Sequence, residues 1–286
     1  MFKQTLLLMG KLLLAAALLT SMASSPLHAQ ATQYTFGGLA DWDADGYQDI
    51  VTRDAGNLLW LYPGDGSRGY SQYDRVQIGN GWKGFTFAGL ADWDADGHQD
   101  LVGRDSAGLL WLYPGDSSRG YSQYDRVQIG NGWKGFTFAG LADWDADGHQ
   151  DLVGRDAAGL LWLYPGDSSR GYSQEERVQI GNGWKGFTFA GLADWDSDGH
   201  QDLVGRDAAG LLWLYPGDSS RGYSQEQRVQ IGNGWKGFTF AGLADWDADG
   251  HQDLVGRDAT GLLWLYPGDS SRGYSAEQRV QIGNGW

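Results

Sequence analysis

The chain has 286 residues, 41% of them apolar, no cysteine, and a formal net charge of -15. It is long enough for a sizeable core, yet with no disulfide available its stability must come from packing or from metal. The acidity disfavours nucleic acid and anionic membrane surfaces as partners and makes cations the natural counterpart.

In chain order, the first segment stands apart. Lys3 and Lys11 give it a positive start, Leu12 to Leu19 an apolar stretch, and Ala29-Gln30-Ala31 a small-x-small site, with no acid before the aspartates further on. This predicts a secretory signal peptide over 1–31 and a mature protein that is secreted, to the extracellular space or the periplasm. So short an apolar stretch does not span a bilayer, and no longer one follows, so no membrane span is expected.

From Thr32 to Trp286 the sequence repeats every 51 residues, in copies 32–82, 83–133, 134–184, 185–235 and 236–286. No Pro-rich or Ser-rich linker separates them, so residues 32–286 read as a single domain. In the second copy the pattern predicts four strands: Phe85 to Ala91, Asp100 to Arg104, Leu109 to Tyr113 and Arg126 to Ile129. The third is apolar on both faces, as a strand covered on both sides would be, and Trp111 within it is expected in the core. The fourth alternates, as a half-buried outer strand would. The segment Pro114-Gly115-Asp116-Ser117-Ser118 between them is a turn signal.

Four-stranded units of this length, each covering its neighbour's apolar face, indicate an all-β protein, a β-propeller of five four-stranded blades. The first and last copies carry no polar capping variant, which favours a closed ring over an open solenoid. A ring within one monomer is expected, with an oligomeric ring as the alternative.

Between the first two strands of each copy lies an acidic loop of pattern D-x-D-x-D-G-x-x-D. Its chemistry-bearing positions are Asp41, Asp43, Asp45, Tyr47 and Asp49 in the first copy and Asp92, Asp94, Asp96, His98 and Asp100 in the second. The later copies supply Asp143, Asp145, Asp147, His149 and Asp151, then Asp194, Asp196, Asp198, His200 and Asp202, then Asp245, Asp247, Asp249, His251 and Asp253. Oxygen ligands at positions 1, 3 and 5, a Gly at 6 for a sharp turn, a backbone carbonyl at 7 and a closing carboxylate suit calcium. Up to five calcium ions, one per repeat, are expected. The EF-hand begins in the same way but needs a Glu at position 12 and helical flanks; here position 12 is Thr52 or Gly103, and the flanks read as strands.

Phe87-Ala88-Gly89-Leu90 leading into this loop and on to Leu101-Val102-Gly103 resembles the FG-GAP or VCBS repeat of integrin α-chain propellers and many secreted bacterial proteins. The following Leu-Trp-Leu-Tyr-Pro-Gly-Asp resembles the bacterial branch. The resemblance implies a propeller with calcium in the hairpin loop between the first and second strands of each blade. Rings of that family commonly have seven blades, so five copies depart from the pattern.

No enzyme signal is present. The histidines of the repeats occupy loop position 7, where the backbone carbonyl is the expected ligand, and near-identical copies offer no unique constellation of dissimilar groups. Arg104-Asp105 in each blade reads as a structural pair or turn. Of three tryptophans per copy, Trp93 is expected to pack between blades. Trp82, Trp133, Trp184, Trp235 and Trp286, each after Gly-Asn-Gly, are the candidate ligand-binding set, since exposed indoles beside polar acceptors suit sugar rings. The expected function is that of a non-catalytic, multivalent, calcium-binding module, carbohydrate-binding and lectin-like. Its alternative is an adhesive scaffold for a cell-surface or extracellular protein, with Arg119 and Tyr121 as contacts.

Overall fold

Each 51-residue copy folds into one four-stranded antiparallel sheet whose strands are adjacent in sequence order. The structure, a computed structural model, describes residues 34–116, 119–167, 170–218, 221–269 and 272–286. The signal peptide expected over 1–31 lies outside the described residues. The first blade holds β1 (Thr35–Ala40), β2 (Asp49–Arg53), β3 (Leu59–Tyr62) and β4 (Val76–Gly79). The second holds β5 (Thr86–Ala91), β6 (Asp100–Arg104), β7 (Leu110–Tyr113) and β8 (Val127–Gly130). The innermost strands of the remaining blades are β9 (Thr137–Ala142), β13 (Thr188–Ala193) and β17 (Thr239–Ala244). Among the described residues no helix is long and apolar enough to cross a membrane.

The innermost strands meet in a cycle: β1 touches β5, β5 touches β9, and so on to β17, which returns to β1. Glycine permits this approach. Gly89, with φ of 154°, sits at a bulge in β5, and a Cβ there would lie 3.2 Å from Leu141 Cγ of the next blade. The same contact recurs from Gly242 of the fifth blade to Leu39 of the first. The result is the expected propeller, closed within one chain.

The middle strands supply the core. Leu101, Val102, Leu110 and Leu112 have no exposed surface, because both faces of the sheet are covered by neighbouring blades. Each core cluster spans a boundary; the one that closes the ring joins Ile50 and Tyr62 of the first blade to Val255, Leu263 and Trp286 of the last. Trp111, expected in the core, packs against the core cluster at the boundary with the first blade but is only partly buried. Alternation sends it to the face opposite Leu110 and Leu112, where it is half-buried, with the Arg126 guanidinium 4.6 Å from its ring centre and its N–H given to Asp105.

Candidate metal centre

The strand pairing ends at Ala91 opposite Asp100, so the residues between them must turn back within one tight loop. Ala95 at position 4 and Gly97 at position 6 both adopt positive φ, 57° and 92°. Asp92 braces the turn by accepting the N–H groups of Asp96 and Gly97, each at 3.0 Å. Asp96 accepts the N–H of His98 at 2.9 Å. Asp100, with no exposed surface, ties three segments together through the N–H groups of Trp93, Asp94 and Gly115 at 2.9, 3.2 and 2.8 Å. Burial pushes the Asp100 carboxyl up to about 7, against those N–H donors, which pull it down.

Asp94 is different. Its side chain has no exposed surface, and neither oxygen accepts a hydrogen bond. Among the described residues its cationic partner is Arg170 of the next blade, whose Nη2 lies 2.8 Å from Oδ2. Burial, then the Asp96 charge, holds its carboxyl above the usual carboxylate range, and Arg170 only partly offsets them. Asp43, Asp145, Asp196 and Asp247 repeat the arrangement with Arg119, Arg221, Arg272 and Arg68.

Each blade thereby gathers three carboxylates with one oxygen apiece within 4.8 Å of the others. In the second blade these are Asp92, Asp94 and Asp96; in the others the closing aspartate takes the third place, as in Asp41, Asp43 and Asp49. Of the expected ligands, positions 1 and 3 come together everywhere with either 5 or 9, and each such cluster could hold a metal ion. Buried acceptors without hydrogen bonds are costly unless something neutralises them, and an all-oxygen set suits a hard divalent cation. The residues present therefore fit the ion that the loop pattern predicts. At position 7, His98 is half-buried and Tyr47 is exposed. Tyr47 packs over Gly66, where a Cβ would overlap its ring; in the sequence of the other copies His and Ser stand at the corresponding positions.

Sequence reasoning missed the arginines. Arg119 and Tyr121 were expected to face a partner, but Arg119 closes the acidic loop of the preceding blade, and Tyr121 is half-buried. The one signal was the constant interval of 76 residues between Asp43 and Arg119 and between Asp94 and Arg170. The backbone carbonyl of Arg170 also accepts Trp93 Nε1–H at 3.1 Å, so Trp93 packs between blades as expected.

The candidate ligand-binding tryptophans are not exposed. Trp82, Trp133, Trp184, Trp235 and Trp286 keep only 2–3% of their surface, so none offers a free face for stacking. Each folds back across a blade boundary: Trp133 packs on Phe136 and Tyr164 at 4.8 and 4.6 Å and donates its N–H to Tyr172 at 2.8 Å. The rim above it is open. A cavity of about 120 Å³ lies there, lined in part by Asn131, Tyr164, Tyr172, Gln174 and Arg177. The boundary between the first two blades has the same cavity, with Asn80, Tyr113, Tyr121, Gln123 and Arg126. Arg104 does not pair with Asp105; it hydrogen-bonds the carbonyls of Trp133 and Phe136 at the blade connection, while Asp105 caps the turn before β7.

The sequence family described as FG-GAP-like repeat matches residues 41–103, 143–205 and 194–256, together more than half of the chain. No curated protein matches the chain. Among solved structures, the crystal structure of TcdB2-TccC3-Cdc42 is 15% identical with a TM-score of 0.44, covering 81% of this chain and 14% of that one. The crystal structure of BBS1N in complex with ARL6DN, soaked with lead, is 12% identical with a TM-score of 0.39, covering 88% and 69%. That of Chaetomium thermophilum Raptor is 12% identical with a TM-score of 0.42, covering 90% and 23%. The chain thus spans a small part of two of these three chains.

Proposed function

Because the chain belongs to the family of FG-GAP-like repeats, we propose that it is an exported, calcium-held, non-catalytic ring that presents several like binding sites at once, with glycans as its ligands. Calcium is the hard divalent cation available in millimolar amounts outside the cell, and loops of this donor set take it with dissociation constants of roughly 0.1 to 1 mM there. It would neutralise the buried carboxylates at each boundary and so hold the ring in shape.

The observation that carries the binding reading is the pair of equivalent clefts, each bounded by aromatic rings below and by amide and guanidinium groups at the rim. An aromatic wall with a few fixed polar groups is the composition of sugar sites. Each cleft is small, so a single contact is weak, and linkage of several on one rigid ring raises avidity by about 10² to 10⁴. A glycan array probed with the folded chain in millimolar calcium, then after chelation, tests this. Binding of one sugar class that fades with chelation supports it; no binding by a demonstrably folded chain rejects it.

A protein partner is the second reading, favoured by a specific asymmetry. Tyr73 and Tyr124 are 98% and 99% exposed on the first two blades, where the other copies carry Glu175, Glu226 and Glu277. Exposed tyrosines on one side of an otherwise regular ring suit a protein contact. Replacing both with Glu would abolish capture of such a partner and leave glycan binding unchanged.

A further inference from the structure

The chain contains 36 acidic residues, yet no acidic side chain lines either blade-boundary cleft. What lines them is rich in donors. The Tyr172 oxygen accepts Trp133 Nε1–H, which leaves the phenolic hydrogen to seek an acceptor in the cleft. Arg177 lies with its guanidinium 5.0 Å from the Trp162 ring centre, and its counterpart Arg75 donates to Tyr62 at 3.1 Å. Stacking fixes the plane of a guanidinium, and after one bond to the tyrosine hydroxyl it keeps further N–H groups to donate to a ligand. Asn131 and Gln174 are exposed at the rim and add amide groups that can serve hydroxyls.

Resting on the glycan reading above, we propose that the clefts select sugars that carry a carboxylate, of the hexuronic acid class, with Arg177 and its equivalents pairing the carboxylate and Asn131 and Gln174 taking ring hydroxyls. A cavity of about 120 Å³ takes the edge of one ring and its carboxylate. The boundaries are also unequal in sequence. Ala276 stands where Gln72, Gln123, Gln174 and Gln225 stand in the other copies, so the boundary between the fourth and fifth blades lacks the rim amide that Gln123 and Gln174 supply to the two clefts.

Titration calorimetry of the full chain in millimolar calcium, with glucuronate, glucose and an acetylated dipeptide with a free terminal carboxylate as probes, tests this. Glucuronate is expected to bind at least about tenfold more tightly than glucose, the difference made by a charged hydrogen-bonded pair, and to weaken with added salt. Arg75, Arg126, Arg177, Arg228 and Arg279→Gln together should bring glucuronate down to the level of glucose. Since those arginines also cover indoles, the melting temperature of that variant is measured alongside. Ala276→Gln, which removes no contact, should tighten glucuronate binding at one site. Equal affinity for glucuronate and glucose would overturn the carboxylate assignment and leave the glycan reading standing. Binding of neither sugar by folded protein would overturn the carboxylate assignment, and the glycan array then decides whether the glycan reading falls with it. Binding of the dipeptide alone would overturn the sugar assignment in favour of a protein ligand.

Discussion

Asp94 and its four equivalents are the residues on which the acidic loop turns, since among the described residues they combine side-chain exposure of at most 2% with oxygens that accept no hydrogen bond. Asp94→Asn is expected to remove one calcium from the stoichiometry measured by titration, while in chelator the variant melts no lower than the parent. A loss of stability in chelator equal to that in calcium would assign Asp94 a purely structural part. One position along, Ala95 holds φ of 57° without the freedom of glycine, a conformation that costs a side-chain-bearing residue about 1–2 kcal/mol. Ala95→Gly should therefore raise stability by about 1 kcal/mol, read as a higher denaturant midpoint. The closing aspartates bear on pH. Asp49, Asp100, Asp151, Asp202 and Asp253 sit near 7 in the metal-free fold, against about 3.9 in an unfolded chain. A carboxyl whose folded value is raised contributes stability that is present below the unfolded value and lost as pH rises through the folded one. In chelator the melting temperature should fall between about pH 4 and pH 8, and calcium, which favours the carboxylate, should flatten that slope. A metal-free melting temperature that rises over this interval would contradict the burial argument.

At the scale of the strand and its connections, Arg104 shows how one blade is fastened to the next. From the end of β6 it reaches the carbonyls of Trp133 and Phe136 at 2.8 and 2.6 Å and Thr86 Oγ1 at 3.0 Å, and it lies over the Phe138 ring. Arg104→Met would leave two partly buried carbonyls without their donor, at a cost of about 2–4 kcal/mol; a change under 0.5 kcal/mol in a chemical melt would show that water replaces it. Strand positions, blade count and acidic loops were legible in the sequence because a regular 51-residue interval and local alternation express them. The tryptophans were not. Whether Trp133 lies in the open or folds back depends on Tyr172, 39 residues away, and on the approach of a second blade. Trp111 was legible only in part: flanking leucines announce a core, and the indole does pack against one, yet alternation leaves its outer part to be covered by a guanidinium. The arginine at each acidic loop was likewise invisible to local pattern, since its partner lies in the preceding blade.

For the whole molecule, five acidic clusters that could each hold one ion would link metal to global stability. With dissociation constants of roughly 0.1 to 1 mM, millimolar calcium would stabilise by about 0.4 to 1.4 kcal/mol per site, or on the order of 2 to 7 kcal/mol for five. That is comparable to the net stability of a whole domain. Excess chelator should therefore lower the melting temperature by many degrees; an unchanged melt would refute a structural role for the ion. The way the ring closes carries a further consequence. Among the described residues no strand is shared between the first and fifth blades; Trp286 closes the joint by packing on Tyr34 and Tyr62 and giving its N–H to Tyr70. The same kind of joint recurs at every boundary, so one molecule's fifth blade is as good a fit for another molecule's first. Closure is then a competition between the chain's own first blade and that of a neighbour, in which the covalent link holds the intramolecular partner at a high effective concentration and so favours the single ring.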